Sequence, residues 1–89
     1  MIARKVIITG RVQGVAFRAW TRDQAQQHDV SGWVLNRADG AVEAVLSGDE
    51  ISVDAMIKKL RKGQLLAKVE SLQIAETDPP DDTGFEIRR

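Results

Sequence analysis

The 89-residue sequence has no cysteine and no tyrosine, one histidine, two prolines and only four aromatic residues, Phe17, Trp20, Trp33 and Phe85. Without cysteine there is no disulfide, no thiolate nucleophile and no sulfur-ligated metal. A lone His28 rules out a multi-histidine metal site and leaves little for a nucleophile–base triad. No apolar run approaches the ~20 residues that span a bilayer. Arg4 and Lys5 follow Met1-Ile2-Ala3 too closely for a secretion signal, so a cytoplasmic protein is expected. Charge of one sign is also missing. Thirteen basic residues offset 13 acidic ones, which argues against a general nucleic-acid or membrane-surface binder. A local basic patch around Arg11, Arg18, Arg22 and Arg37 stays open. The nucleotide-binding pattern G-x-x-x-x-G-K-[ST] does not occur. A chain this short supports one core, hence one domain over residues 1–89.

What is present begins with a β-branched run, Lys5 to Val12, whose two faces are both fairly apolar; it reads as a central strand. Gly10-Arg11-Val12-Gln13-Gly14-Val15-Ala16-Phe17-Arg18 then connects that strand to a helical pattern. Two glycines permit a tight turn. A turn of successive N–H groups leading into a helix N-terminus suits an anion. Arg18, at the junction, brings a planar five-donor fork that fits a phosphate. On composition alone, a surface ion-pair partner is an equally good account of Arg18. The two glycines alone need mean no more than a tight strand-to-helix connection.

From Phe17 to about His28 the spacing is helical, with Phe17, Trp20 or Thr21, Gln24 or Ala25, and His28 along one side. Asp29 ends that helix, and Ser31-Gly32 turns into a strand from Trp33 to Arg37. Asp39-Gly40 signals a hairpin, after which Ala41 to Leu46 resumes a period of two. Ser47 with Glu50 three residues later resembles a capping box, with Asp49 as a competing cap. Val53, Met56, Ile57 and Leu60 form an amphipathic stripe. Lys58, Lys59, Arg61 and Lys62 close that helix, and Gly63 stops it. Val69 to Ala75 alternates again, with Leu72 and Ile74 assigned to the buried side. Asp78-Pro79-Pro80-Asp81-Asp82 is a surface loop, and Phe85 and Ile87 mark a short last strand. Trp20 and Trp33 are assigned to core packing.

The order βαββαβ predicts an α+β, ferredoxin-like sandwich: an antiparallel sheet with two helices on one face and a short extra C-terminal strand. Such a fold says little about activity. The chemistry available is one anion cradle, one arginine and Asn36, which from its spacing alone reads as a turn-flanking amide. His28 reads as a helix-end residue. The carboxylates fall in cap and loop positions.

Gly10-Arg11-Val12-Gln13-Gly14-Val15 with Phe17-Arg18 resembles the signature of the acylphosphatase family. Gly32-Trp33-Val34-x-Asn36, with Asp39-Gly40 and Val42-Glu43, resembles its second signature, and the likeness runs to Gly84-Phe85-Glu86-Ile87-Arg88. The resemblance implies hydrolysis of a carboxyl-phosphate anhydride to a carboxylate and inorganic phosphate, without metal or cofactor. It implies that Arg18 and the backbone amides of Gln13, Gly14, Val15, Ala16, Phe17 and Arg18 bind the phosphoryl group, and that Asn36 holds the attacking water. The partner is then a small acyl phosphate, with no nucleic acid and no membrane, and a monomer is expected.

That chemistry is physically sensible. A carboxylate leaves readily without a general acid, so positioning and electrostatics carry the reaction. A phosphate oxygen can take the water's proton, which accounts for the missing base. Departures from the family pattern fall at Ala16, at Leu35, at His28-Asp29, where a less tightly closed helix end is expected, and at Gln64-Leu65-Leu66. Two other readings compete. An RNA-binding sheet generally needs more stacking aromatics than this chain has. A carbamoyl-phosphate-handling piece of a larger maturation enzyme is the third; the chain's length argues against it.

Overall fold

The computed structural model describes residues 1–89. The elements run β1 (Ile2–Arg11), α1 (Phe17–Gln27), β2 (Ser31–Asn36), β3 (Val42–Gly48), α2 (Glu50–Lys62), β4 (Lys68–Glu76) and β5 (Phe85–Arg88). They form one five-stranded sheet in the order β4-β1-β3-β2-β5. The β1–β3, β1–β4 and β2–β3 pairs are antiparallel, as the strand pattern predicts. The short last strand adds in parallel to β2, so the complete sheet is mixed.

Period-two alternation places Val6 and Ile8 of β1, Val34 of β2, and Val42, Ala44 and Leu46 of β3 on one face of the sheet. There they meet Phe17 and Ala25 of α1 and Val53, Met56, Ile57 and Leu60 of α2, and all of these side chains are buried in one cluster. Both helices therefore cover the same face. Each large aliphatic side chain buried in this way contributes about 1.5–3 kcal/mol, so the stripe on α2 alone anchors that helix.

Several local expectations change. Ser47 lies inside β3, and α2 is capped by Asp49, whose Oδ2 accepts from the Ile51 N–H at 3.2 Å. Register decides this outcome: the β1–β3 ladder runs on through Ser47 and Gly48 and leaves Asp49 at the helix start. Ile74 pairs with Val6 and so points to the helix-covered side, but β4 is an edge strand and Ile74 remains 45% exposed. Trp33 projects to the opposite face, beside Val45, where the Arg88 guanidinium lies 4.7 Å from its ring centroid. Trp20 does pack on the core, with its ring 5.3 Å from that of Phe17.

The end of α1 is fully closed despite the missing glycine. Asp29 adopts φ 57°, its N–H reaches the Gln26 carbonyl at 3.3 Å, and the Val30 N–H reaches the Ala25 carbonyl at 2.8 Å. That pair of bonds is the Schellman arrangement, with aspartate in the left-handed seat.

Candidate active site

β1 delivers its chain to a turn at one end of the sheet, and α1 starts from the same turn. Gly10 adopts φ +126°, and a Cβ there would come within 2.1 Å of the Lys68 carbonyl oxygen. This glycine lets β4 approach β1 at a register shift between Thr9 and Gly10. Its role is structural. Gly14 is different: it adopts φ +75° in open space. Ala16 follows at φ 60° and ψ 26°, as the N-cap of α1, without a side-chain capping bond. Left-handed Gly14 and Ala16, with Val15 between them at negative φ, alternate the hand of the backbone. Such alternation curves successive N–H groups around a common centre, a nest suited to an anion. The N–H groups of residues 13–16 donate to no backbone carbonyl, and those of Phe17 and Arg18, in the first turn of α1, have no intrahelical acceptor. The positive end of the helix dipole adds to the field there.

Asn36 ends β2, two residues after Val34 and on the same, helix-covered side of the sheet. Its Oδ1 is buried and has no hydrogen-bond partner, the one such side-chain atom in the protein. A buried acceptor left unpaired costs about 1–3 kcal/mol, so it calls for a donor. Asn36, Gly14, Ala16, Phe17 and Arg18 all line one cleft of about 210 Å³, completed by Val12, Ala19, Ile87 and Arg89. The cleft thus brings together both residues of the sequence-derived pair and most of the turn. Val15 and Gln13 do not line it. The Gln13 side chain instead turns to the β2–β3 hairpin, where its Nε2 donates to the carbonyls of Arg37 (2.8 Å) and Ala41 (2.9 Å). It ties the turn to the strand that carries Asn36.

The basic patch resolves into separate fates. Arg37 pairs with Asp39 (3.0 Å) and Glu43 (3.3 Å), and Arg22 lies 4.0 Å from Asp23. Arg18 makes no ion pair; its Nη1 donates to the Arg88 carbonyl at 3.2 Å. A guanidinium has five donors, so this bond steadies Arg18 and leaves the rest of the fork for an anion. Sequence reasoning missed the part played by the last strand. Ile87 and Arg89 reach the cleft, and the Arg88 carbonyl reaches Arg18, only because β5 runs parallel to β2, and no local pattern encodes that pairing.

Neither histidine nor carboxylate side chains line the cleft. His28 is the C-cap residue of α1, whose 11 residues separate it from the turn by ~16 Å. Its backbone N–H, not its ring, bonds to the Gln24 carbonyl. The carboxyl of Asp39 is held below its ordinary value of 3.8, chiefly because the Ala41 N–H donates to it, with Arg37 adding to the effect. Asp39 belongs to the hairpin after Asn36. It braces that hairpin and stands outside the cleft.

A family model described as acylphosphatase matches residues 4–87. An acylphosphatase of Natronomonas pharaonis is 48% identical over 88 residues, covering 99% of this chain and 96% of its own. The crystal structure of an acylphosphatase from Bacillus subtilis superposes with a TM-score of 0.93 at 31% identity, with full coverage of both chains. Full-length HypF in a phosphate- and nucleotide-bound form has a similar region, at a TM-score of 0.91 and 27% identity, covering 99% of this chain and 12% of that one.

Proposed function

Since the chain belongs to the acylphosphatase family, we propose a division of labour for its hydrolysis of acyl phosphates. The amides of residues 13–18 and the free donors of Arg18 hold the three phosphoryl oxygens. Oδ1 of Asn36 accepts a hydrogen from the attacking water and aims its lone pair at phosphorus. The bond from phosphorus to the carboxyl oxygen breaks, and the carboxylate leaves with the bonding electrons. One water hydrogen stays on the attacking oxygen and the other passes to a phosphoryl oxygen, so the atoms balance as carboxylate plus dihydrogen phosphate. No protein base takes part.

The observation that carries this reading is the orphaned Asn36 Oδ1 in the same cleft as Arg18 and unpartnered amides. Fixed donors around a transferring phosphoryl group need no rearrangement as charge develops, which is where catalysis of this kind gains most. The reading includes a single domain over residues 1–89, a monomeric state and a cytoplasmic location.

Two substitutions test it. Arg18→Ala is expected to abolish measurable binding of inorganic phosphate. Asn36→Ala is expected to keep that binding and lower kcat for benzoyl phosphate by ~10²–10³, the loss typical of one positioned polar group. If both variants hydrolyse benzoyl phosphate like the parent, the assignment is wrong.

A further inference from the structure

The α2–β4 connection departs from the family pattern at Gln64-Leu65-Leu66, and the structure gives the first of these residues a task. Gln64 follows Gly63, the residue that ends α2, and its Nε2 donates to the Val15 carbonyl in the middle of the phosphate turn. We propose that Gln64 is a positioning residue that sets the orientation of the Val15–Ala16 peptide and thereby aims the Ala16 N–H into the cradle. This inference rests on the reading of residues 13–18 as the phosphate seat.

The argument is geometric. A trans peptide is planar, and its carbonyl and N–H point in opposite directions. With the Val15 oxygen bound to Gln64, the Ala16 N–H must point away from the α2–β4 connection. Ala16 lines the cleft shared by Arg18 and Asn36, so that direction is towards the anion. Rotation of this one peptide plane would put a carbonyl oxygen where a donor is needed, and the oxygen would repel phosphate.

The turn also needs such a restraint. Ala16 sits at φ 60°, a conformation that disfavours residues with a Cβ by about 1–2 kcal/mol. It has no side-chain cap to hold it there. A strained residue persists only where its surroundings over-determine it. Here two glutamine amides do so from opposite sides: Gln13 reaches the β2–β3 hairpin, and Gln64 reaches in from the other flank of the sheet. The order β4-β1-β3-β2 sets those flanks, because the end of β1 lies between the start of β4 and the hairpin. The seat of Gln64 is itself firm, since Lys68 pairs with Arg11 just beyond it and packs closely against Gly10.

Gln64→Met tests this directly, because methionine keeps the length and bulk of the side chain and removes the donor. Isothermal titration with inorganic phosphate is expected to show Kd raised roughly fivefold to tenfold, the size of one neutral hydrogen bond. KM for benzoyl phosphate should rise by the same factor with kcat little changed, because the lost contact serves ground state and transition state alike. The amide resonance of Ala16 should lose its response to phosphate. Parental phosphate affinity in Gln64→Met overturns the proposal. A lowered thermal midpoint with unchanged phosphate Kd overturns it too, by showing a purely structural bond. If the parent releases no phosphate from benzoyl phosphate and yet Gln64→Met still weakens phosphate binding, the proposed function fails and the orienting role stands.

Discussion

Asp29 is disfavoured twice over. Its φ of 57° suits glycine better than any residue with a Cβ, and its carboxylate sits at the negative end of α1. Asp29→Gly removes both penalties, while the more flexible unfolded chain returns part of the gain. The net effect expected is about 1 kcal/mol of added stability, read as a higher urea midpoint with an unchanged m-value. A lower midpoint would show that the Asp29 side chain contributes something its backbone position does not reveal. Ala16, the other left-handed residue with a Cβ, is held by the turn of the candidate active site, where strain has a use. Neither conformation could be read from the sequence, because φ at a single residue is decided by chain direction on both sides of it.

At the scale of elements, the hairpin from Asn36 to Val42 couples a charge to the site. Asp39 accepts from the Ala41 N–H at 3.0 Å and pairs with Arg37, and the Arg37 and Ala41 carbonyls in turn hold Gln13. The folded-state pKa of Asp39 is depressed, so its contribution is fully present above the unfolded value of 3.8 and fades as pH falls through the lower folded value. Below about pH 4 the parent should therefore lose thermal stability more steeply than Asp39→Asn, which does not titrate. Parallel curves from pH 5 to pH 2 would refute the coupling. The elements themselves were largely legible. The stripe Val53, Met56, Ile57 and Leu60, the Asp39-Gly40 turn and the β-branched run of β1 are local patterns, and all survive. Four features were not: the parallel seat of β5, the exposure of Ile74 at an edge, the choice of Asp49 over Ser47, and the place of Trp33 on the face away from the core. Each depends on which strands become neighbours, and that is a long-range outcome. The candidate site was legible through its glycine turn, Arg18 and Asn36, whereas Gln64 and the Arg88 carbonyl reach it only through tertiary contacts.

Across the whole molecule, whose extents are 30 × 22 × 21 Å, titratable chemistry and the cleft lie apart. His28 sits at the far end of α1, and the Asp39 carboxylate of the β2–β3 hairpin is committed to Ala41 and Arg37. His28→Gln should leave kcat/KM for benzoyl phosphate within about twofold of the parent, and between pH 5.5 and 8 both proteins should show only the substrate's own titration. A protein-derived inflection near neutrality that disappears in His28→Gln would require a base that the cleft does not offer.

The bond from Arg18 to the Arg88 carbonyl spans 70 positions of the chain. During vectorial synthesis the turn and its arginine leave the ribosome long before the segment that steadies them. A nascent chain that has already paired its first four strands would still have a wandering guanidinium. Ordering of that guanidinium then waits for β5 to dock beside β2, one strand later than the rest of the sheet.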